Sequence, residues 1–462
     1  MLDKEHSINR RVRGKVRKVF AAWLVLTTLV FNLAWGLGTA RADDLPILDA
    51  DAAVLMDART GQVLFAKNKD KKEYPASITK VMTGLLALEY ADTRATLTMS
   101  REAVFSITRG SSHIALDTDE ELALKDALYA LAIESANDCA NGIAEYIAGD
   151  CEAFAELMNE RARELGAVNT HFANAHGLDD PEHYTTAYDM ALIMAQAIKI
   201  PGFTEIFSAN YHKMSPTNLQ EKEREFHCKN LFLNGIYDYE GITASKLGWT
   251  TNARNTLVTS ASREGRDLIV VVMNSNAYRG TYLDTMKLFD YGFEEFRDVM
   301  VLSAGEEKEL PVSAQSDKNI IVKTDSDIAR LLHKSVSPDL VQNKYEILEN
   351  GDQAGLTARV SFYLPEKNEY MYEDLGSITI DTPTMAAADA LGSTQDILGP
   401  VGVFILKTIK TLFIIILGLA ALILVLRQIN QMRLRKKRDA RHNHYRINYI
   451  ERKNDSDDLY GK

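Results

Sequence analysis

Ser77 and Lys80 stand three residues apart in "YPASITKVMTGLLALEY", Tyr74 to Tyr90. At i and i+3 on a helix two side chains are neighbours on one face. A lysine ammonium cannot accept a proton. A lysine whose pKa is lowered by burial and by its neighbours can, and the serine beside it then becomes a nucleophile. The same pair also reads as an ordinary helix start, with Ser77 as N-cap after Pro75 and Lys80 as a solvated first-turn residue. Two further segments carry groups of the right type. "ESANDCANGIAEY" places Ser135 and Asn137 at a break between two helical patterns, where a hydroxyl and a carboxamide would enter a cleft or simply cap a helix. "ITASKLGWTTNARNTLVTSAS" opens a β segment with Lys246-Leu247-Gly248 followed by Trp249 and Thr250. Its plain reading is an exposed strand lysine and a bulge glycine.

These groups need elements to hold them. "DAAVLMDARTGQVLFAKNK", Asp51 to Lys69, alternates as two strands about a turn at Gly61. Helical periodicity follows over Ser77–Tyr90, Leu122–Glu134, Ala140–Ala148, Cys151–Leu165 and Thr186–Ile198. "NTLVTSASREGRDLIVVVMNS", Asn255 to Ser275, is two β-rich runs about "REGRD". Strands at both ends of a helical block predict an α+β domain whose sheet collects strands from both ends of the segment. From Val299 to Thr382 the runs become short and rich in Val, Ile and Tyr ("NIIVKT", "LTARVSFYL", "GSITIDT"), the pattern of a small all-β domain.

The order Ser-x-x-Lys, Ser-x-Asn, Lys-x-Gly resembles the penicillin-recognising serine acyl-transferases. "DAAVLMDARTGQVLFAKNKDKKEYPASITKVMT" and "NTHFANAHGLDDPEHYTTAYDMALI" narrow the resemblance to the low-molecular-mass penicillin-binding proteins, the D-alanyl-D-alanine carboxypeptidases of peptidase family S11, over about Ala52 to Ser275. The resemblance implies a serine β-lactamase/transpeptidase-like catalytic domain, with a sheet flanked by helices and a helical subdomain. It implies Ser77 as acyl acceptor, Lys80 as its proton acceptor and Ser135 as proton relay to the leaving D-alanine. Asn137, Lys246, Gly248, Trp249 and Thr250 would bind substrate, with the backbone N–H groups of Ser77 and Trp249 as oxyanion donors. The substrate would be a peptidoglycan stem peptide, β-lactams would acylate the same serine, and no metal or organic cofactor is implied. Leu247 departs from the family, which usually has a threonine there whose hydroxyl binds the substrate carboxylate. Ser245 would replace it only on a displaced strand, and Arg254 is the other candidate donor. The competing readings are a catalytically impaired binding protein with a regulatory role, a D,D-endopeptidase and a β-lactamase. His113, His171, His176, His183 and His227 show no metal spacing, and His176-Gly177 is expected to shape a loop.

The whole chain of 462 residues is 46% hydrophobic and 25% charged, which suits several globular domains. Lys4, Arg10, Arg11, Arg13, Lys15, Arg17 and Lys18 precede an apolar run from Phe20 to Gly38 and the small-x-small "ARA", so residues 1–42 read as an export signal. Near the other end "TLFIIILGLAALILVL" is short for a span, and the preceding "VGVFILKTIK" extends it if its lysines reach the interface. Eight basic residues between Arg427 and Arg446 follow, a cluster that belongs on the cytoplasmic side. The expected order is signal 1–42, catalytic domain 43–297, all-β domain 298–382, linker 383–400, membrane helix 401–427, and basic tail 428–462. The expected location is the cell membrane, with the catalytic domain facing the wall. Residues 1–42 hold eight basic and two acidic side chains and residues 410–462 twelve and five. The stretch between keeps 33 of the 53 basic and 57 of the 64 acidic ones. So acidic a body is a poor partner for nucleic acid. Three cysteines, an odd number, exclude a complete disulfide framework within one chain; buried free thiols are expected, with a Cys139–Cys151 bridge as the alternative.

Overall fold

The computed structural model describes residues 45–311, 319–349, 356–367 and 370–381. The segments read as signal, linker, membrane helix and basic tail lie outside them. Among the described residues no helix is long and apolar enough to cross a membrane.

The first elements are strands β1 (Ala52–Asp57) and β2 (Val63–Lys67), a 3-10 turn at Ala76–Thr79, and helix α1 (Lys80–Tyr90). Next come β3 (Thr96–Thr98), α2 (Arg101–Phe105), β4 (Glu121–Ala123), α3 (Leu124–Ile133), α4 (Asn137–Ala148) and α5 (Cys151–Glu164). Then follow α6 (Ala187–Ala197), α7 (Phe203–Phe207), β5 (Tyr211–Met214), β6 (Arg224–His227), β7 (Ile242–Thr250), β8 (Arg254–Arg263), β9 (Arg266–Ser275) and α8 (Tyr278–Glu294). One five-stranded sheet runs in the order β2-β1-β9-β8-β7, so strands from both ends of the segment meet in it as the pattern predicts. β9 lies between β1 and β8, antiparallel to both. Its "LIVVVM" is buried throughout, the continuous apolar run of a strand covered on two faces. On one face Val54, Met56, Ile269, Val271 and Met273 join the helical core; on the other, α8 packs so closely that Gly292 meets Leu55 and Leu268.

Helix α1 is buried continuously from Lys80 to Ala87, on every face. A helix surrounded this way is a core element, and whatever polar group it carries must find partners inside. Three helix starts differ from the periodicity by two residues or more, one of them α4, which begins at Asn137 and not at Ala140. The first residues of "SITK" form a 3-10 turn, and the α-helix starts only at Lys80. Leu122 belongs to β4, which pairs with β3 (Leu97 opposite Leu122), so α3 starts at Leu124. Apolar spacing is shared by a short strand running into a helix, and only the pairing tells them apart. Cys139, Cys151 and Cys228 are all free thiols, so the Cys139–Cys151 bridge is not formed.

Beyond α8 the described residues form strands β10 (Phe296–Leu302), β11 (Glu307–Pro311), β12 (Asn319–Lys323), β13 (Ile328–His333), β14 (Gln342–Glu349), β15 (Leu356–Tyr363) and β16 (Asp374–Asp381). β10 pairs antiparallel with β13, from Phe296 opposite His333 to Leu302 opposite Ile328. The described residues divide into two compact units: one takes 45–306, 323–346, 359–367 and 370–379, the other 307–311, 319–322, 347–349, 356–358 and 380–381. In the larger unit β13 leans on the start of β2: the Gln62 side chain receives the Leu331 N–H at 3.0 Å and donates to the Leu331 carbonyl at 2.6 Å.

Candidate active site

The 3-10 turn that carries Ser77 begins in a costly conformation. Ala76 has φ +50°, a left-handed backbone that a Cβ disfavours by about 1–2 kcal/mol. Pro75 stands before it, and its carbonyl is held by Thr256 Oγ1 of β8 at 2.9 Å. Ser77 then lies one turn before Lys80, whose side chain is fully buried. The solvated-lysine reading is thereby excluded, and no side chain caps the turn.

Lys80 Nζ makes three contacts: Asn137 Oδ1 at 2.7 Å, the His176 carbonyl at 2.5 Å and Ser77 Oγ at 3.0 Å. Two of these partners can only accept, whereas the serine hydroxyl can also donate. A neutral amine has two hydrogens and one lone pair. The two hydrogens satisfy Asn137 and His176, which leaves the lone pair for the Ser77 proton. Burial first, and the nearby Lys246 charge second, hold Lys80 well below the ordinary lysine range, while Asp138 and Cys139 oppose the shift.

Ser135 and Asn137 sit at the junction of α3 and α4. Ser135 is another left-handed non-glycine residue, φ +59°. Helix α4 starts at Asn137 with Ala136 in the capping position and no side-chain cap, so neither residue is spent on capping. Asp138 anchors the preceding loop: its buried carboxylate receives the N–H groups of Ile114 at 3.1 Å, Leu116 at 3.3 Å and Cys139 at 2.9 Å, and the Asn137 N–H meets the Ser112 carbonyl at 2.9 Å.

Strand β7 closes the site from the sheet edge. Lys246 is 2% exposed, not a surface lysine, and its Nζ reaches Ser135 Oγ at 3.1 Å and the Leu247 carbonyl at 2.9 Å. Burial pushes it down to about 8. Two ammonium groups in one buried site repel each other, and the more deeply shifted Lys80 is the one that gives up its proton. Lys246 therefore faces a neutral Lys80 and keeps its own charge at neutral pH. Gly248 passes so close that a Cβ there would lie 2.7 Å from the Ser77 backbone nitrogen, 2.5 Å from Thr256 Oγ1 and 3.1 Å from Ala76 Cβ. Glycine is thus required by approach, not by a bulge. Gly248→Ala should push the strand off Ser77 and lower the rate at which Ser77 is acylated about 10²-fold, because a misplacement of about 1 Å costs that much. Stopped-flow acylation of the folded variant checks it.

The remaining candidates lie at the mouth. Trp249 is 63% exposed. Thr250 Oγ1 donates to Asp179 Oδ1 at 2.6 Å and accepts the Ala253 N–H at 3.0 Å. Leu247 packs beside Leu231, Phe232, Leu257 and Tyr282. Neither stand-in for the missing hydroxyl is in place. Ser245 is buried in a network with Asn230 at 2.8 Å and Thr259 at 2.9 Å, which commits its hydroxyl there. The Arg254 guanidinium is turned to Asn276 Oδ1 at 2.7 Å.

One contributor carried no signature in the sequence. His176 acts through its backbone carbonyl, which any residue could supply. Its ring is held neutral by burial, down to about 3, and accepts the Leu178 N–H at 3.1 Å. The loop is shaped by Asn174 Oδ1, which receives the Gly177 N–H at 2.7 Å. The expectation that His176-Gly177 shapes a loop is met, and the loop delivers an acceptor to Lys80. Among the described residues no group of three His, Cys, Asp or Glu side chains is arranged to hold a metal ion.

Known proteins resemble this chain. The profile of the Peptidase S11 family, described as D-alanyl-D-alanine carboxypeptidase, matches residues 39–277. The D-alanyl-D-alanine carboxypeptidase DacD of Escherichia coli is 31% identical over 360 residues, which cover 75% of this chain and 88% of that protein. DacF of Bacillus subtilis, of the same description, is 31% identical over 306 residues, covering 65% of this chain and 77% of its own. The crystal structure of penicillin binding protein 5 from Haemophilus influenzae superposes with a TM-score of 0.59 at 30% identity, over 73% of this chain and 98% of that one. With the serine, the lysines and the Ser-x-Asn loop brought together in one site, this chain belongs to the peptidase S11 family, the low-molecular-mass penicillin-binding proteins.

Proposed function

We propose that the protein is a serine-type D-alanyl-D-alanine carboxypeptidase that trims the last D-alanine from peptidoglycan stem peptides. The observation that carries this reading is the buried Lys80 amine, with two acceptors for its hydrogens and Ser77 Oγ 3.0 Å from its remaining face. Lys80 takes the Ser77 proton as Oγ attacks the carbonyl between the two D-alanines. The tetrahedral oxyanion is received by the backbone N–H groups of Ser77 and Trp249, and each such donor contributes about 3 kcal/mol to lowering the barrier. Collapse breaks the peptide bond: Ser135, polarised by Lys246, passes its proton to the departing amine and regains one from Lys80, which is neutral again. Asn137 holds the amide of the stem peptide. Water then attacks the ester on Ser77, Lys80 accepts a proton from it, and the shortened peptide leaves with the serine restored. A penicillin acylates Ser77 by the same first step.

Leu247 leaves the terminal carboxylate without the usual hydroxyl. A hydrogen bond to a charged group contributes about 1.5–3 kcal/mol, so turnover is expected to be slowed about 10- to 100-fold relative to a site that has it. The export signal, the Val/Ile/Tyr-rich stretch as a small spacer domain at 298–382 and the apolar segment 401–427 with its basic flank support a membrane-anchored enzyme facing the wall. Incubation with a pentapeptide ending in D-Ala-D-Ala tests the activity. One D-alanine per peptide is expected; cleavage of cross-linked dimers without D-alanine release would replace this reading with an endopeptidase.

A further inference from the structure

Thr79, inside the Ser-x-x-Lys segment, and His183, over a hundred positions on, meet in the core and have no part in the chemistry above. His183 Nδ1 receives the Ala173 N–H at 3.0 Å. That assigns the tautomer: Nδ1 is bare and Nε2 carries the hydrogen. His183 Nε2 lies 2.8 Å from Thr79 Oγ1, so it donates to it. The threonine's own hydrogen is then committed to the Ala76 carbonyl at 2.9 Å. The result is a directed chain from the Ala173 N–H through the imidazole and the hydroxyl to one carbonyl oxygen. Thr79 is completely buried and His183 is 1% exposed. Burial keeps the imidazole neutral, so the direction of the chain does not reverse near neutral pH.

The carbonyl at the end of the chain belongs to the left-handed Ala76, and it shares a rigid peptide plane with the Ser77 N–H. Whatever fixes the carbonyl fixes where that N–H points. On its far side the same plane is crowded by strand β7 at Gly248. It is crowded again by Gly177, where a Cβ would fall 1.9 Å from the Ala76 oxygen and 2.9 Å from Thr79 Oγ1. A strained peptide persists only when its surroundings over-determine it. Here the surroundings are two glycine backbones and one hydroxyl.

The geometry points to the Thr79–His183 pair as positioning residues that hold the Ala76–Ser77 peptide in its left-handed setting and so aim the Ser77 N–H at the developing oxyanion. This rests on the acyl-enzyme reading above. The pair touches no substrate; it acts through the peptide plane. The test compares the purified protein with Thr79→Val, which keeps the shape and loses the hydroxyl, and Thr79→Ser, which keeps the hydroxyl. Each is mixed with benzylpenicillin, and the acylation rate constant, the concentration for half-saturation and the final fraction acylated are recorded. Expected for Thr79→Val is a rate constant about 10²-fold lower, the loss typical of a misaimed reacting group. Half-saturation and final occupancy should stay near the parent's, and Thr79→Ser should return the rate to within about threefold of the parent. A merely structural role would lower the occupancy and leave the rate constant of the folded fraction alone, and that result overturns the proposal. So does a Thr79→Val rate within about threefold of the parent. If Thr79→Val does not fold, His183→Leu carries the same comparison. A parent that takes up no penicillin at all overturns the acyl-enzyme reading and this one together, whereas a reactive parent with an unaffected Thr79→Val overturns this one alone.

Discussion

Lys80→Met should lower the acylation rate by about 10³-fold or more, within the range contributed by a positioned general base. Methionine keeps the length and the apolar stem and removes the lone pair. The argument is the contact set: Asn137 Oδ1 and the His176 carbonyl can only accept, so a neutral Lys80 has its basic face left for Ser77. The substitution strands those two acceptors, at about 1–3 kcal/mol each, but it also removes a buried amine that disfavours its own charged form. The variant should therefore stay folded, with a melting temperature within several degrees of the parent's, so that the loss reads as chemistry. A Lys80→Met protein that acylates within about tenfold of the parent would mean that another group takes the serine proton.

Lys246→Met is the second large effect. Lys246 holds Ser135 Oγ at 3.1 Å, and its charge lies close enough to Lys80 to push that lysine down. Its removal should cost about 10²-fold in the acylation rate, comparable with losing one fixed electrostatic partner of the transition state. The pH profile separates the two lysines. The base must be neutral, so activity rises with pH as Lys80 loses its proton, on an acid limb well below the ordinary lysine range. Lys246 must be charged, so activity falls as pH passes about 8. In Lys246→Met the alkaline fall near that pH should vanish. The acid limb should move to higher pH, because a cation that lowered Lys80 is gone. An alkaline limb that persists unchanged would assign it to another group.

Much of this was legible in residue types. Ser77 and Lys80 stand out once Ser-x-Asn and Lys-x-Gly follow in order, and "LIVVVM" reads as one β-rich run of a hairpin. What the motifs do not show is burial: the same Lys80 and Lys246 read equally well as surface residues until the enclosed α1 and the edge position of β7 put them inside. Backbone contributions are the least visible. The left-handed Ala76 and Ser135 carry no glycine or asparagine to announce them, and the His176 carbonyl leaves no side-chain mark. Thr79 and His183 were invisible for a different reason. Their partnership joins distant segments of the chain, and each alone is an ordinary polar residue. The sequence offers Ser245 as a stand-in on a displaced strand, and only its bonds to Asn230 and Thr259 show that its hydroxyl is committed elsewhere.

The central claim is that Ser77 forms an acyl-enzyme, and intact-mass spectrometry of the protein after exposure to benzylpenicillin, beside Ser77→Ala, tests it most directly. The account predicts a single penicilloyl adduct on the parent and none on the variant. An unmodified parent, or an adduct that survives in Ser77→Ala, would contradict it.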